Sequence, residues 1–220
     1  PLLVARQVLA EPAMLLLLLA GHTSLLLALR RSRWWLLIAA LAWALSIMAK
    51  AQTLPFLLAS VLAMLAIAGL WRRWDWAAGC ALAGLGALLS WRGLLAGQAW
   101  LLQGHTAQPV PIVGIYTITA LVPIAQIRYN TLYRVALFGL PTCVGLAVAL
   151  WQAAHTWRSE RGPADLLRWG LLALAGSWLL WFALLSVGDE RYLFPATFVG
   201  SLFVGALVAA AGKGKRIGGL

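Results

Sequence analysis

Long apolar runs recur through this chain, and no other feature constrains its fold as much. They occupy Pro12 to Leu29, Trp34 to Ala49, Leu54 to Leu70, Trp76 to Leu89, Val135 to Trp151, Gly170 to Val187 and Leu193 to Ala211. A helix rises about 1.5 Å per residue, so crossing a hydrocarbon core of about 30 Å takes about 20 residues. In lipid every backbone N–H and C=O must be paired within the protein, and for runs of this kind that means helices. The pattern predicts an all-α, polytopic transmembrane bundle of seven spans, some of them short, as a single transmembrane domain over residues 1–220.

Between Leu89 and Val135 the pattern is broken. Ile112 to Ile127 is apolar but bounded by Pro109 and Pro111 and interrupted by Pro123. Such backbone is tolerated at membrane depth only where protein or a water-filled cavity covers it, so an interfacial or re-entrant segment on the outer side is expected. Trp91 to Gln103 reads either as a second interfacial helix or as an extension of the preceding span.

Hydrophobic residues make up 63% of the chain and charged residues 10%, with a net charge of +11. The positions of the cations explain that excess without a nucleic-acid partner. With seven spans, Arg30, Arg31, Arg33, Arg72, Arg73, Arg158, Arg161, Arg168, Lys213, Lys215 and Arg216 share one side, eleven of the seventeen basic residues. The positive-inside bias makes that side cytoplasmic and points the N-terminus outward. A lone eighth span at Ile112 to Ile127 would split the basic clusters between the two sides. Many of the thirteen tryptophans, among them Trp34, Trp35, Trp71, Trp74, Trp76, Trp91, Trp157 and Trp169, stand beside loops, as an interfacial aromatic belt requires.

Soluble-enzyme motifs are absent: there is no Gly-rich phosphate loop, Gly-x-Ser-x-Gly elbow or His-Glu-x-x-His pair. Cys80 and Cys143 lie in apolar runs without Cys-x-x-Cys spacing and read as core residues. His22 reads as a neutral imidazole bonded to a neighbouring helix. It lies apart from His105 and His155, so no metal cluster follows.

Chemistry is expected on the outer side, where Arg6, Glu11, Lys50, Arg92, Arg128, Arg134, Asp189, Glu190 and Arg191 fall. The turn Gly188-Asp189-Glu190-Arg191-Tyr192 is too short to let its charges drift from the membrane surface. Lys50 ends one run and opens the polar turn Ala51-Gln52-Thr53-Leu54-Pro55, and Glu11 directly precedes Pro12. An ionisable group costs about 2.5 to 3.5 kcal/mol at the centre of a spanning helix and less near the interface, so such groups tend to be paired or functional. Two readings stand for Lys50, snorkelling to lipid headgroups or binding an anion. Two also stand for Arg191, an ion pair with its acidic neighbours or a fork for phosphate. Tyr192 could add a hydroxyl there or be one more belt aromatic.

These residues carry a resemblance. The order Ala5-Arg6-Gln7-Val8-Leu9-Ala10-Glu11-Pro12, a leucine-rich span, a basic turn Arg30 to Arg33, and Ala49-Lys50-Ala51-Gln52-Thr53-Leu54-Pro55 resembles the GT-C membrane glycosyltransferases. Within them it is most similar to the bacterial branch related to protein O-mannosyltransferases and the lipid A aminoarabinose transferase. The closing Asp189-Glu190-Arg191-Tyr192-Leu193-Phe194-Pro195-Ala196 is similar to that group's Glu-Arg-Tyr-Leu-x-Pro pattern.

The resemblance implies transfer of a sugar from a polyprenyl-phosphate donor to a hydroxyl of lipid A, a glycan or a protein, on the outer side of a bacterial inner membrane. It implies a general-base carboxylate in a first outer loop, expected upstream of Pro1, since the chain opens without an initiator Met just ahead of a span. Lys50 and Arg191 would then hold the leaving phosphate, with Glu190 positioning Arg191 and Tyr192 beside it. Glu11 is the candidate second acid, orienting the acceptor or binding a divalent cation, and Arg6 would face the same cavity. The rival expectation is a transporter or flippase of an anionic or lipid-linked substrate, although no internal repeat is evident.

Overall fold

A computed structural model describes residues 2–101, 125–157, 161–186 and 192–212, and within them all side chains except those of 2–10, 126 and 210–212. Every regular element among the described residues is helical. In chain order they are α1 (Leu2–Arg30), α2 (Trp35–Ala49), α3 (Thr53–Leu70), α4 (Trp74–Leu101), α5 (Ala125–Phe138), α6 (Leu140–His155), α7 (Pro163–Leu185) and α8 (Phe194–Gly212). The segment 112–124 of the expected re-entrant stretch lies outside the described residues.

Four helices are long and apolar enough to cross a membrane: Glu11–Arg30 of α1, α3, α4 and α7. The α5–α6 pair makes a fifth if its two arms are one broken span, while α2 and Phe194–Ala209 of α8 are apolar but shorter. The expected span Val135 to Trp151 is therefore not one straight helix. Its arms meet at a 75° bend, because Pro141 has no N–H to continue the ladder and its ring crowds the preceding turn. Gly139 closes α5 by donating to Val135 C=O at 2.8 Å. Trp91 to Leu101 continues α4, settling that stretch as an extension of the span.

The chain divides into two compact units, residues 1–112 and 113–220. In the first, α1 to α4 run up and down, joined by the short turns 31–34, 50–52 and 71–73. Small residues bring these helices close, as in lipid, where dispersion and interhelical hydrogen bonds drive association. A Cβ on Gly21 would lie 2.3 Å from the Trp43 ring, and one on Gly86 would lie 3.0 Å from the Ala40 Cβ. Trp43, Met14, Leu18, Ile47 and Met64 are fully buried around these crossings. The α3 helix closes with Arg72 at φ 58°, its N–H bonded to Gly69 C=O and that of Arg73 to Ala68 C=O, both at 2.9 Å. This is a Schellman stop with an arginine where glycine is usual.

In the second unit α6 lies on α8, where a Cβ on Gly200 would meet the Thr142 methyl at 2.3 Å. Trp178 and Phe182 of α7 are buried. Asp165 accepts from the Gly162 N–H at 2.9 Å and so caps α7. At the other end of that helix Arg128 donates through Nη1 to Ala183 C=O at 3.1 Å and through Nη2 to Ser186 C=O. A cation is favourable against those carbonyls because they are the negative end of the helix.

Candidate functional site

Glu11 lies inside α1 rather than in a turn before it, since the helix begins at Leu2 and passes through Pro12. Pro12 lacks an N–H, which releases the Val8 carbonyl from the ladder but does not stop the helix. Lys50 caps α2, its N–H donating to Ser46 C=O at 3.1 Å, and the next turn closes with Thr53 N–H on Lys50 C=O at 2.9 Å. The expected polar turn with proline in the first turn of the following helix is observed, with α3 starting at Thr53.

This geometry joins two residues that the sequence presents 39 positions apart. The Lys50 Nζ is 2.5 Å from the Glu11 Oε1, and the two side chains are only 19% and 10% exposed. Gln52, Thr53 and Ser46 are buried at the same end. Ser46 donates to Met14 C=O at 3.1 Å, while the Thr53 hydroxyl has no partner among the described residues. The result is a charged and hydroxylic patch sealed between the start of α1 and the α2–α3 turn.

The two arginine turns lie at the opposite end of this unit. Gly79 near the start of α4 packs on Leu29 at the end of α1, which sets Arg30 to Arg33 and Arg72 to Arg73 together. From Glu11 to Arg30 the helix runs about 28 Å, close to the hydrocarbon thickness. The basic turns and the Glu11–Lys50 pair thus occupy the two mouths of one bundle. At the basic end the Arg73 guanidinium stacks 3.8 Å from the Trp76 ring centroid and reaches Asp75 at 3.3 Å. Trp71 and Trp76 meet edge to face at 6.5 Å there.

Midway along the bundle lies a polar knot. In a neutral ring, His22 donates through Nδ1 to Leu18 C=O at 2.8 Å, leaving Nε2 to accept from the Ser60 hydroxyl at 2.9 Å. With Nδ1 protonated, the Trp43 indole N–H takes the Leu18 carbonyl at 3.3 Å as its acceptor. His22 is bonded to a neighbouring helix, as its sequence setting suggests.

Of the second set of candidates, Glu190 and Arg191 lie outside the described residues, as does the side chain of Arg6. Tyr192 is half-buried, its ring 5.8 Å from that of Trp181 in an edge contact and its carbonyl accepting from the Trp178 indole at 3.0 Å. Arg128 joins this end of the second unit by grasping the last turn of α7. Its partner carbonyls stand 55 and 58 residues away, and no local sequence signal announces them.

A cation at Glu11 would find a poor set of ligands. Residues 1–112 contain two carboxylates, Glu11 and Asp75, and these sit at opposite ends of the unit. An ammonium stands where the metal would bind. Among the described residues no three His, Cys, Asp or Glu side chains gather as a metal site. Comparison with protein-family models, with characterised proteins and with solved structures gives no match, so no relative lends a role to these residues.

Proposed function

We propose that this chain belongs to a polyprenyl-phosphate-dependent membrane glycosyltransferase, acting on a hydroxyl acceptor at the outer face of a bacterial inner membrane. The observation that carries the reading is the Glu11–Lys50 pair, held at the mouth of the first unit opposite its arginine turns. The motif resemblance through Lys50 gives that end its chemistry, and the resemblance of Glu190-Arg191-Tyr192 adds a second set of candidate phosphate-binding residues. In this reading α2, the α5–α6 pair and α8 also cross, giving seven spans. The short helices are accommodated by local thinning of the bilayer.

The reaction is an in-line displacement. The acceptor oxygen forms a bond to the anomeric carbon as the carbon–oxygen bond to phosphate breaks, and the polyprenyl phosphate leaves with the electron pair. The hydroxyl proton goes to a carboxylate that the resemblance places upstream of the matched residues. By the resemblance, Lys50 and Arg191 are each assigned to stabilising the charge that develops on the departing phosphate. Glu11 holds the Lys50 ammonium in place rather than acting as the base.

The bend at Gly139 favours a second reading, a transporter of an anionic lipid-linked substrate, since transporters build sites from interrupted helices. One assay separates the two. In membranes carrying the full protein and a labelled polyprenyl-phosphate sugar, Arg191→Ala should lower transfer by about 10²- to 10³-fold and Arg216→Ala should not. Equal losses would mean that Arg191 has no part in transfer. Uptake by proteoliposomes without any glycosyl transfer would select the transporter. A cysteine at Asp189 should react with an impermeant reagent from outside, and reaction only from the cytoplasm would reverse the orientation.

A further inference from the structure

A groove of about 750 Å³ opens at the arginine end of the first unit, between the α1–α2 turn and the α2 and α4 helices. Its walls divide by chemistry. Arg31, Ser32 and Arg33 form the rim, Trp34 stands beside them, and Leu36, Leu37, Ala40, Leu82 and Gly86 form an apolar floor. The volume falls within the range of small-molecule sites, about 300 to 1,000 Å³. We propose that this groove is a binding site for one anionic phospholipid, with its phosphate at Arg31 and Arg33 and an acyl chain along Leu37 and Leu82.

Four observations support that occupant. Arg31 and Arg33 are exposed and form no ion pair among the described residues, so their charge is available to a ligand. In contrast, Arg73 in the neighbouring turn is engaged by Asp75 and Trp76. The rim sits at the start of α2, where the helix dipole adds positive potential and the Ser32 hydroxyl can donate.

The floor continues from the rim along the apolar helices α2 and α4. Leu37 and Leu82 are 62% and 60% exposed into it, which suits a chain of methylenes and offers nothing to a free phosphate. Trp34, 76% exposed at the rim, marks headgroup depth. Basic pockets between spanning helices are a general means of retaining anionic lipid headgroups. The close Ala40–Gly86 approach fixes the spacing of α2 and α4 along the groove. The site stands apart from the transferase reading, being at the other mouth of the bundle from Lys50.

The test is made on the full protein, delipidated in mild detergent and titrated with phosphatidylglycerol, phosphatidylcholine or inorganic phosphate, with bound lipid counted by native mass spectrometry and Tm recorded. One phosphatidylglycerol should be retained at least tenfold more tightly than phosphatidylcholine and should raise Tm. Arg31→Gln with Arg33→Gln should abolish that preference. Arg72→Gln with Arg161→Gln, which removes the same charge from exposed positions off the groove, should leave it intact. Leu37→Trp, a bulky group on an exposed position, should weaken retention without altering the Tm of the lipid-free protein.

Equal retention by the two double variants would overturn the site, as would stabilisation by phosphate alone matching that by the lipid. Indifference of phosphatidylglycerol binding to Leu37→Trp would overturn the acyl-chain placement and the proposal with it. None of these outcomes depends on whether glycosyl transfer is observed.

Discussion

The Lys50 ammonium lies 2.5 Å from the Glu11 carboxylate, across the gap between the end of α2 and the third turn of α1, with both side chains mostly withdrawn from solvent. Removing one partner leaves the other charge in an apolar setting, whereas removing both leaves none. Glu11→Gln should therefore destabilise the first unit by about 3 kcal/mol, and Glu11→Met with Lys50→Met should recover most of that loss. Thermal unfolding in a lipid nanodisc measures both. A double variant as unstable as the single one would mean that the pair acts through packing, not charge.

The crossing of α1 and α2 depends on the absence of a side chain at Gly21, since a Cβ there would stand 2.3 Å from the Trp43 ring. Gly21→Ala should cost about 1 to 3 kcal/mol through overpacking. Gly176 in α7 has nothing within 4 Å of its would-be Cβ, so Gly176→Ala should stabilise its helix by about 0.5 to 1 kcal/mol. Opposite signs in one unfolding assay are the expected outcome, and a shared sign would contradict the close approach at Trp43.

Much of this architecture was legible in sequence because apolar runs and charge placement report directly on solvation. The α2–α3 turn around Lys50 and the gathering of Arg30 to Arg33 with Arg72 and Arg73 follow from run lengths alone. The Glu11–Lys50 contact did not, because pairing across 39 residues is set by how α1 rotates against α2, which Gly21 and Trp43 decide. The apolar run opens at Pro12, yet α1 extends upstream of it to Leu2, since a proline removes one ladder bond without ending the helix. The break at Gly139 had a signal in Gly139 and Pro141, hidden by the apolar run around them. Arg128 gave none, its carbonyl partners being a whole helix away.

Ser60 supplies the proton that His22 accepts between α1 and α3. Ser60→Ala leaves the buried imidazole nitrogen without that donor, at a cost of about 0.6 to 1.7 kcal/mol as measured for hydrogen bonds between spanning helices. Ser60→Thr retains the hydroxyl and should lose less. A hydroxyl-independent result, with Ala and Thr equally mild, would make the contact incidental.

Arg128 holds the last turn of α7 with two donors at once, Nη1 on Ala183 C=O and Nη2 on Ser186 C=O. Lysine carries the same charge on a single nitrogen and cannot reproduce that fork. Arg128→Lys keeps the charge at this helix end but loses one of the two bonds and should cost about 1 kcal/mol, whereas Arg128→Met loses the charge as well and should cost about 2 kcal/mol. Since both acceptor carbonyls lie at the C-terminal end of α7, the loss should appear first as faster hydrogen exchange in the final turn of α7, ahead of any change around Asp165 at its start. Uniform loss of protection along the whole helix would show that Arg128 supports the bundle at large rather than anchoring the end of α7.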